Sequence, residues 1–211
     1  MKDKEVIKLI FEALLLGIIV GKLRGGQFKR LGYQSLRFPL ILILAFLLLL
    51  GTSTLITLGY EGVIAYRMYL YILGYCLLFL VLFLNLHIKS VWLILIGAIC
   101  NFAAITLNNG SMPIDLKELE KMGFENLLKS IEIGSLPNFI SIDEAYSYTT
   151  YLAKRFSTPA LYPIKQIFSI GDALIAAGLF FYVQRIMQSK LYRKMSRVIH
   201  FDHKGRMGSS R

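Results

Sequence analysis

Residues 168–187 have the sequence Phe-Ser-Ile-Gly-Asp-Ala-Leu-Ile-Ala-Ala-Gly-Leu-Phe-Phe-Tyr-Val-Gln-Arg-Ile-Met, which is almost wholly apolar. At 1.5 Å per residue, a helix of about 20 such residues crosses the hydrocarbon core of a bilayer. One carboxylate, Asp172, lies about one helical turn inside the start of this run. Carboxylates are costly within a membrane and often functional there. The stretch therefore predicts a transmembrane helix and makes Asp172 the candidate catalytic residue.

Four further apolar runs precede this stretch. The chain has 211 residues, of which 55% are hydrophobic, and they are gathered in long runs instead of alternating along amphipathic elements. The pattern predicts an all-α, polytopic membrane helix bundle, with residues 1–190 as one transmembrane domain and 191–211 as a basic tail. The five predicted spans are residues 5–22, 38–58, 66–84, 90–107 and 168–187.

The first run contains charged residues, and a signal peptide is the alternative interpretation. The leader, residues 2–5, is charge-balanced, and no small-x-small cleavage site follows the run, so an anchor helix is favoured. Lys8 and Glu12 are four residues apart and are expected to pair on one helix face, which lowers the cost of insertion.

Residues 114–167 form a long segment without a span. Asp115 followed by Glu118 predicts a capping box at the start of a helix over residues 116–129. The charged residues of this helix make insertion too costly, so we expect it to lie along the membrane surface. Residues 134–167 predict an ordered loop with one short helix around residues 143–154.

The net charge of +11 predicts an orientation. With five spans, one side carries the basic loop after the first span, Lys89 and the basic tail, whereas most acidic residues fall on the other side. Short basic loops mark the cytoplasm. We therefore predict a bacterial inner (plasma) membrane protein with its N-terminus and residues 114–167 outside and its C-terminus in the cytoplasm.

Several kinds of partner and site are not predicted. The basic charge follows the topology, so membrane lipids and not nucleic acid are the expected partners. Cys76 and Cys100 lie in separate apolar runs, and His87 has no second ligand at helical spacing. Neither a metal site nor a cofactor is therefore expected.

Polar residues gather near the predicted outer face and form a candidate ligand-binding site. A protein partner or a small ligand is expected to bind there. Asp172 is expected to lie in a polar pocket with the turn at residues 108–111 and not to face lipid. The side-chain amides of residues 108 and 109 and the backbone N–H groups of this turn are its expected hydrogen-bond donors. In the alternative interpretation, Ser169 and Asp172 form a Ser-x-x-Asp capping box, which explains the carboxylate without catalysis. The candidate ligand-binding residues are Glu12, Asn108, Asn109, Ser111, Ser169 and Asp172.

Two motifs carry a family resemblance. Residues 108–113, Asn-Asn-Gly-Ser-Met-Pro, combine with residues 168–178, which contain Ser-Ile-Gly-Asp. The combination resembles an uncharacterised family of bacterial multispanning membrane proteins, a domain of unknown function. The resemblance covers most of the chain, including the Gly25-Gly26 loop, and implies the architecture alone.

A second, local resemblance concerns residues 168–175. They are similar to the last helix of lipoprotein signal peptidase, where a Phe-Asn-x-Ala-Asp stretch supplies one catalytic aspartate. The Asn-x-Gly step at residues 108–110 is similar to a loop of that enzyme. The resemblance implies a catalytic role for Asp172, although Ser169 and Gly171 replace the Asn and Ala of the motif.

The motif that carries the first aspartate of the peptidase has no counterpart here. Because an aspartyl mechanism needs two carboxylates, Asp115 or Asp143 would have to act as the second. Three functions follow as hypotheses: a non-enzymatic subunit or small-ligand or lipid-binding protein, an intramembrane aspartyl-type hydrolase, and the substrate-binding component of a transporter. The first is favoured. The third resembles the binding subunits of vitamin importers, which usually have six spans.

Overall fold

The long apolar runs fold as helices, because an α-helix satisfies its backbone hydrogen bonds within one segment. The computed structural model describes residues 4–32, 36–159, 162 and 164–188. The predicted tail, residues 191–211, lies outside the described residues. The first half of the chain contains α1 (Lys4–Leu23), α2 (Pro39–Thr57), α3 (Glu61–Ala65), α4 (Arg67–Leu84) and α5 (Lys89–Leu107).

Residues 112–168 fold into a small unit that we call the cap. Its short strands pair as β1 with β2 in parallel and β3 with β4 antiparallel. The elements are β1 (Met112–Ile114), α6 (Leu116–Lys121), α7 (Glu125–Glu132), β2 (Phe139–Ser141), a 3-10 helix (Ser147–Leu152), β3 (Phe156–Ser157) and β4 (Ile167–Phe168). The cap has a hydrophobic core of its own, formed by Ile114, Leu119, Met122, Leu127, Ile131, Leu136 and Ile167.

The cap corrects one prediction and confirms two. The single helix expected over residues 116–129 is wrong: α6 ends before Gly123, whose φ of 77° is left-handed, and α7 starts afresh. The predicted cap of α6 is confirmed, because the Asp115 carboxylate accepts hydrogen bonds from the backbone N–H groups of Lys117 and Glu118 at 3.1 and 3.4 Å. The 3-10 helix confirms the short helix expected near residues 143–154, whereas the strands were not predicted.

The last helix, α8 (Ile170–Gln188), follows the cap directly. The described residues form a largely helical structure, which confirms the predicted all-α class, and four of their helices, α2, α4, α5 and α8, are long and apolar enough to cross a membrane. The chain is thus a membrane protein. Helix α1 has 20 residues, but charged side chains such as Lys8 and Glu12 interrupt it, so the fifth span stays a prediction.

The long helices lie side by side in the order α1, α8, α5, α4, α2. Helices α1 and α8 run parallel, since Gly17 contacts Phe180 and Gly21 contacts Met187. Helices α5 and α8 run antiparallel and approach closely at glycines, because a Cβ atom on Gly97 would lie 2.5 Å from the carbonyl oxygen of Gly171. Small residues permit such close helix contacts in lipid.

This arrangement gives the molecule two distinct ends. At the cap end, α5 ends, α8 begins and the cap covers both. At the opposite end, which we call the basic end, α1 and α8 finish and α2 begins. The Arg37 N–H donates to the Asn85 Oδ1 atom after α4 at 2.9 Å, which fixes the start of α2 there.

Candidate functional site

The Asp172 carboxylate caps the helix that it belongs to. Its Oδ2 atom accepts a hydrogen bond from the Ser169 N–H at 3.1 Å, and the Ser169 Oγ accepts one from the Asp172 N–H at 3.0 Å. This is the reciprocal capping box that the Ser-x-x-Asp spacing predicted. The carboxylate also lies at the positive end of the α8 dipole. Part of its role is therefore structural.

A side chain from the neighbouring helix completes this arrangement. Asn101, in the middle of the apolar α5, donates from Nδ2 to Asp172 Oδ1 at 2.8 Å. Its own Oδ1 accepts a hydrogen bond from Ser169 Oγ at 2.9 Å. Sequence reasoning did not assign Asn101 to the site, although a lone amide within an apolar run is a usable signal, since buried polar groups need partners.

The cap supplies the fourth member, Lys154. Its Nζ lies 3.4 Å from Asp172 Oδ2, and the two side chains are only 10% and 3% exposed. Backbone hydrogen bonds position this residue: its N–H donates to the Pro113 carbonyl at 2.9 Å and its carbonyl accepts from the Asp115 N–H at 3.0 Å. Nothing in the local sequence distinguishes Lys154 from other lysines.

We call these four residues the Asp172 cluster: Asn101, Lys154, Ser169 and Asp172. The cluster joins α5, α8 and the cap at a single buried point. A buried ion pair is costly to desolvate, but removal of one partner leaves an uncompensated charge. The cluster therefore ties the cap to the two helices, and the predicted polar surroundings of Asp172 are confirmed.

The predicted donors at residues 108–111 are not the ones that contact Asp172, so that part of the prediction is wrong. Asn108 instead holds the 3-10 helix of the cap, donating to the Ala104 carbonyl at 2.7 Å and to Thr149 Oγ1 at 3.0 Å. Ser111 Oγ donates to the Pro137 carbonyl at 2.6 Å. Asn109 is exposed, with a left-handed φ of 53°. These residues shape the turn into β1.

Glu12 belongs to a second polar site, between α1 and the cap. Its Oε1 accepts a hydrogen bond from Gln166 Nε2 at 2.7 Å, where an ion pair with Lys8 was expected. The Tyr162 hydroxyl also bonds to Glu12, which raises the pKa of Tyr162. Gln166 is 1% exposed, and its Oε1 has no hydrogen-bond partner among the described residues. An unpaired buried acceptor is costly.

The contacts of the Asp172 cluster do not form an aspartyl dyad. Its partners are an amide, a backbone N–H group and an ammonium group, and in the described part of the chain none of these partners is a carboxylate. Asp115 caps α6, and Asp143 is exposed. Residues 4–32, 36–159, 162 and 164–188 also contain no group of three His, Cys, Asp or Glu residues that could hold a metal ion.

The comparisons with known proteins identify a family for this chain. A family model described as a family of unknown function (DUF5317) matches residues 34–184. The match includes α2 to α7, the whole cap, most of α8 and all four members of the Asp172 cluster. No curated protein and no solved structure matches the chain.

Proposed function

The chain belongs to a family of unknown function (DUF5317), so we propose a function from the geometry of this chain alone. In this proposal the chain is a non-enzymatic, multi-pass membrane protein that binds a small ligand at the cap end. The ligand carries an ammonium or another N–H or O–H donor group, and it binds between α1 and the cap, beside Glu12.

The observation that carries this proposal is the buried Gln166 Oε1, which has no hydrogen-bond partner in the part of the chain that the structure describes. The Gln166 Nε2 atom donates to the half-buried Glu12 carboxylate, so the amide that carries this oxygen is in contact with a negatively charged group. Acceptors without donors bind donor groups, and a carboxylate favours a cationic one. The site lies next to the cap, which the Asp172 cluster holds on the helix ends.

The two other functions are less well supported. A hydrolase would need Asp172 to exchange a proton with water, whereas its contacts with Ser169, Asn101 and Lys154 favour a structural role. The same ligand site would also suit the substrate-binding component of a transporter. Such a component would bind a protein partner in addition to its ligand. For such a partner, the exposed tyrosines of the 3-10 helix region supply a surface: Tyr146, Tyr148 and Tyr151.

Removal of the Glu12 charge is expected to abolish ligand binding. Native mass spectrometry of the full chain purified from membranes in mild detergent is expected to show an adduct on the wild type. Glu12→Gln keeps the side-chain size but removes the charge, so the adduct should fall at least about tenfold, as for loss of a charge-assisted hydrogen bond. The matched control is Glu120→Gln on an exposed position of α6. Equal adducts on both variants, or none on the wild type, would contradict the proposal.

The cap end is proposed to face outward and the basic end to face the cytoplasm, in the inner membrane of a bacterium. Support comes from the charge of the basic end, because short basic loops remain cytoplasmic. In a variant without Cys76 and Cys100, a single cysteine at Glu125 should react with a membrane-impermeant maleimide in intact cells. A cysteine at Lys29 should react only after permeabilisation. Both positions are exposed, and the reverse pattern would refute this orientation.

A further inference from the structure

The basic end contains cationic side chains and, among the described residues, no carboxylate that could be their counter-ion. The sequence has no Asp or Glu in residues 13–60, 62–114 or 173–201, which include every described segment of this end. Its cationic side chains in the described part of the chain are Lys22, Arg24, Lys29, Arg30, Arg37, Lys89 and Arg185. Positive charge of this density attracts anions. The described residues of this end therefore supply no carboxylate as a counter-ion for these groups.

The turn after α1 brings two of these arginines to one face of α8. Gly25, with a left-handed φ of 80°, ends α1 and directs the chain back towards α8. Arg24 Nη1 donates to Gln184 Oε1 at 2.8 Å, and Arg30 Nη1 donates to the Met187 carbonyl at 3.0 Å. Residues 184 and 187 are three apart, so they are neighbours on the helix surface. Two guanidinium groups consequently lie against the same last turn.

Neither guanidinium is neutralised by these contacts. Each donates one hydrogen bond to a neutral oxygen, although guanidinium has five N–H donors. The Arg30 Nε atom is buried and has no hydrogen-bond partner within the described residues. The negative end of the α8 dipole offsets the charge of Arg30 only in part. Lys22, whose Nζ lies 5.3 Å from the Phe28 ring centre, adds a third cation from the same turn.

We infer that Arg24 and Arg30 bind a phosphate group at the membrane surface. Arginine forks pair with phosphate through parallel hydrogen bonds, and the two guanidinium groups both contact the last turn of α8, so that one phosphate can accept from both. Phe28 and Leu23 lie beside these arginines along the chain and are exposed, and such apolar side chains suit contact with the acyl chains of a lipid. The phosphodiester of an anionic phospholipid is therefore the ligand, and a free phosphate is the alternative source of the same chemistry.

The experiment uses the full chain in detergent micelles, titrated with phosphatidylglycerol or phosphatidylcholine and followed by native mass spectrometry. Wild-type protein is expected to retain phosphatidylglycerol in preference to phosphatidylcholine. In Arg24→Gln/Arg30→Gln, the dissociation constant for phosphatidylglycerol should rise about thirtyfold, since basic groups near anionic lipid act additively. The matched control, Lys117→Gln/Lys129→Gln, makes the same charge change on exposed residues of the cap and should leave the constant unchanged.

Two further arms make the result decisive. Inorganic phosphate at millimolar concentration should not displace the lipid; displacement with equal affinity would assign the site to free phosphate instead. If the double variant does not purify, Arg24→Gln alone is measured, because Arg24 is exposed and its guanidinium donates to a side chain, Gln184, and not to the backbone of α8. An unchanged constant in the arginine variants, or an equal loss in the lysine control, would overturn the inference.

Discussion

Replacement of Lys154 by methionine is expected to lower the free energy of unfolding by about 3–5 kcal/mol, which is the usual cost of removing one partner of a buried ion pair. Methionine fills a similar volume but leaves the Asp172 carboxylate, 3% exposed, without its cation. Asn101 and the Ser169 N–H would remain as donors, yet they carry no full charge. We therefore expect the cap to separate from α8 before the helices unfold.

A double-mutant cycle measures this interaction directly. Asp172→Asn keeps a side-chain oxygen for the Ser169 N–H but leaves Lys154 buried without an anion, so it should also destabilise. Lys154→Met/Asp172→Asn removes both charges and should cost less than the sum of the single changes. Unfolding midpoints in detergent, followed by circular dichroism, report each variant.

The exposed ion pair of the cap is the matched control for this cycle. Lys121 Nζ lies 3.4 Å from Glu118 Oε1, but the lysine side chain is 73% exposed. Lys121→Met should therefore change stability by less than about 1 kcal/mol. If Lys154→Met were tolerated as well as this control, the ion pair would not be what holds the cap.

A methyl group added at Gly171 should have a comparable effect. Its Cβ would lie 2.7 Å from the Gly97 carbonyl oxygen and still closer to Asn101 Oδ1, so α5 and α8 must move apart. Overpacking costs typically about 1–3 kcal/mol, and loss of the Asn101 hydrogen bond to a charged group adds about 1.5–3 kcal/mol. We expect Gly171→Ala to lower the unfolding midpoint strongly.

Gly51→Ala provides the control in another long helix. A Cβ atom at Gly51 would have no neighbour within 4 Å in the described structure. Because alanine is the better helix former by about 1 kcal/mol, the variant should be unchanged or slightly stabilised. Similar losses in both variants would show that the close contact of α5 and α8 is not responsible.

Some elements of the site were predictable because they are encoded within a few residues. Ser169 and Asp172 lie three positions apart before an apolar run, and this spacing is sufficient for the reciprocal cap of α8. The same holds for Asp115 at the start of α6. A catalytic role for Asp172 is not encoded in such local spacing, because catalysis depends on groups that are distant along the chain.

The partners of Asp172 illustrate this limit. Asn101 precedes it by 71 residues, and the apolar run around Asn101 does not indicate which helix that residue faces. Lys154 reaches the carboxylate only because its backbone pairs with the end of β1. The expected donors, Asn108 and Asn109, do lie at the cap end of the molecule. Asn108 bonds to α5 and the cap, however, and Asn109 is exposed.

The sequence by itself determined the long helices, the membrane class and the local caps, because hydropathy, length and capping act over one turn or one span. Tertiary structure decided the order of the helices, the short strands of the cap and the members of the Asp172 cluster. Strands of two or three residues carry no periodicity of their own. Their pairing, such as Met112 with Phe139, is stable only because the cap encloses a hydrophobic core and packs on α5 and α8.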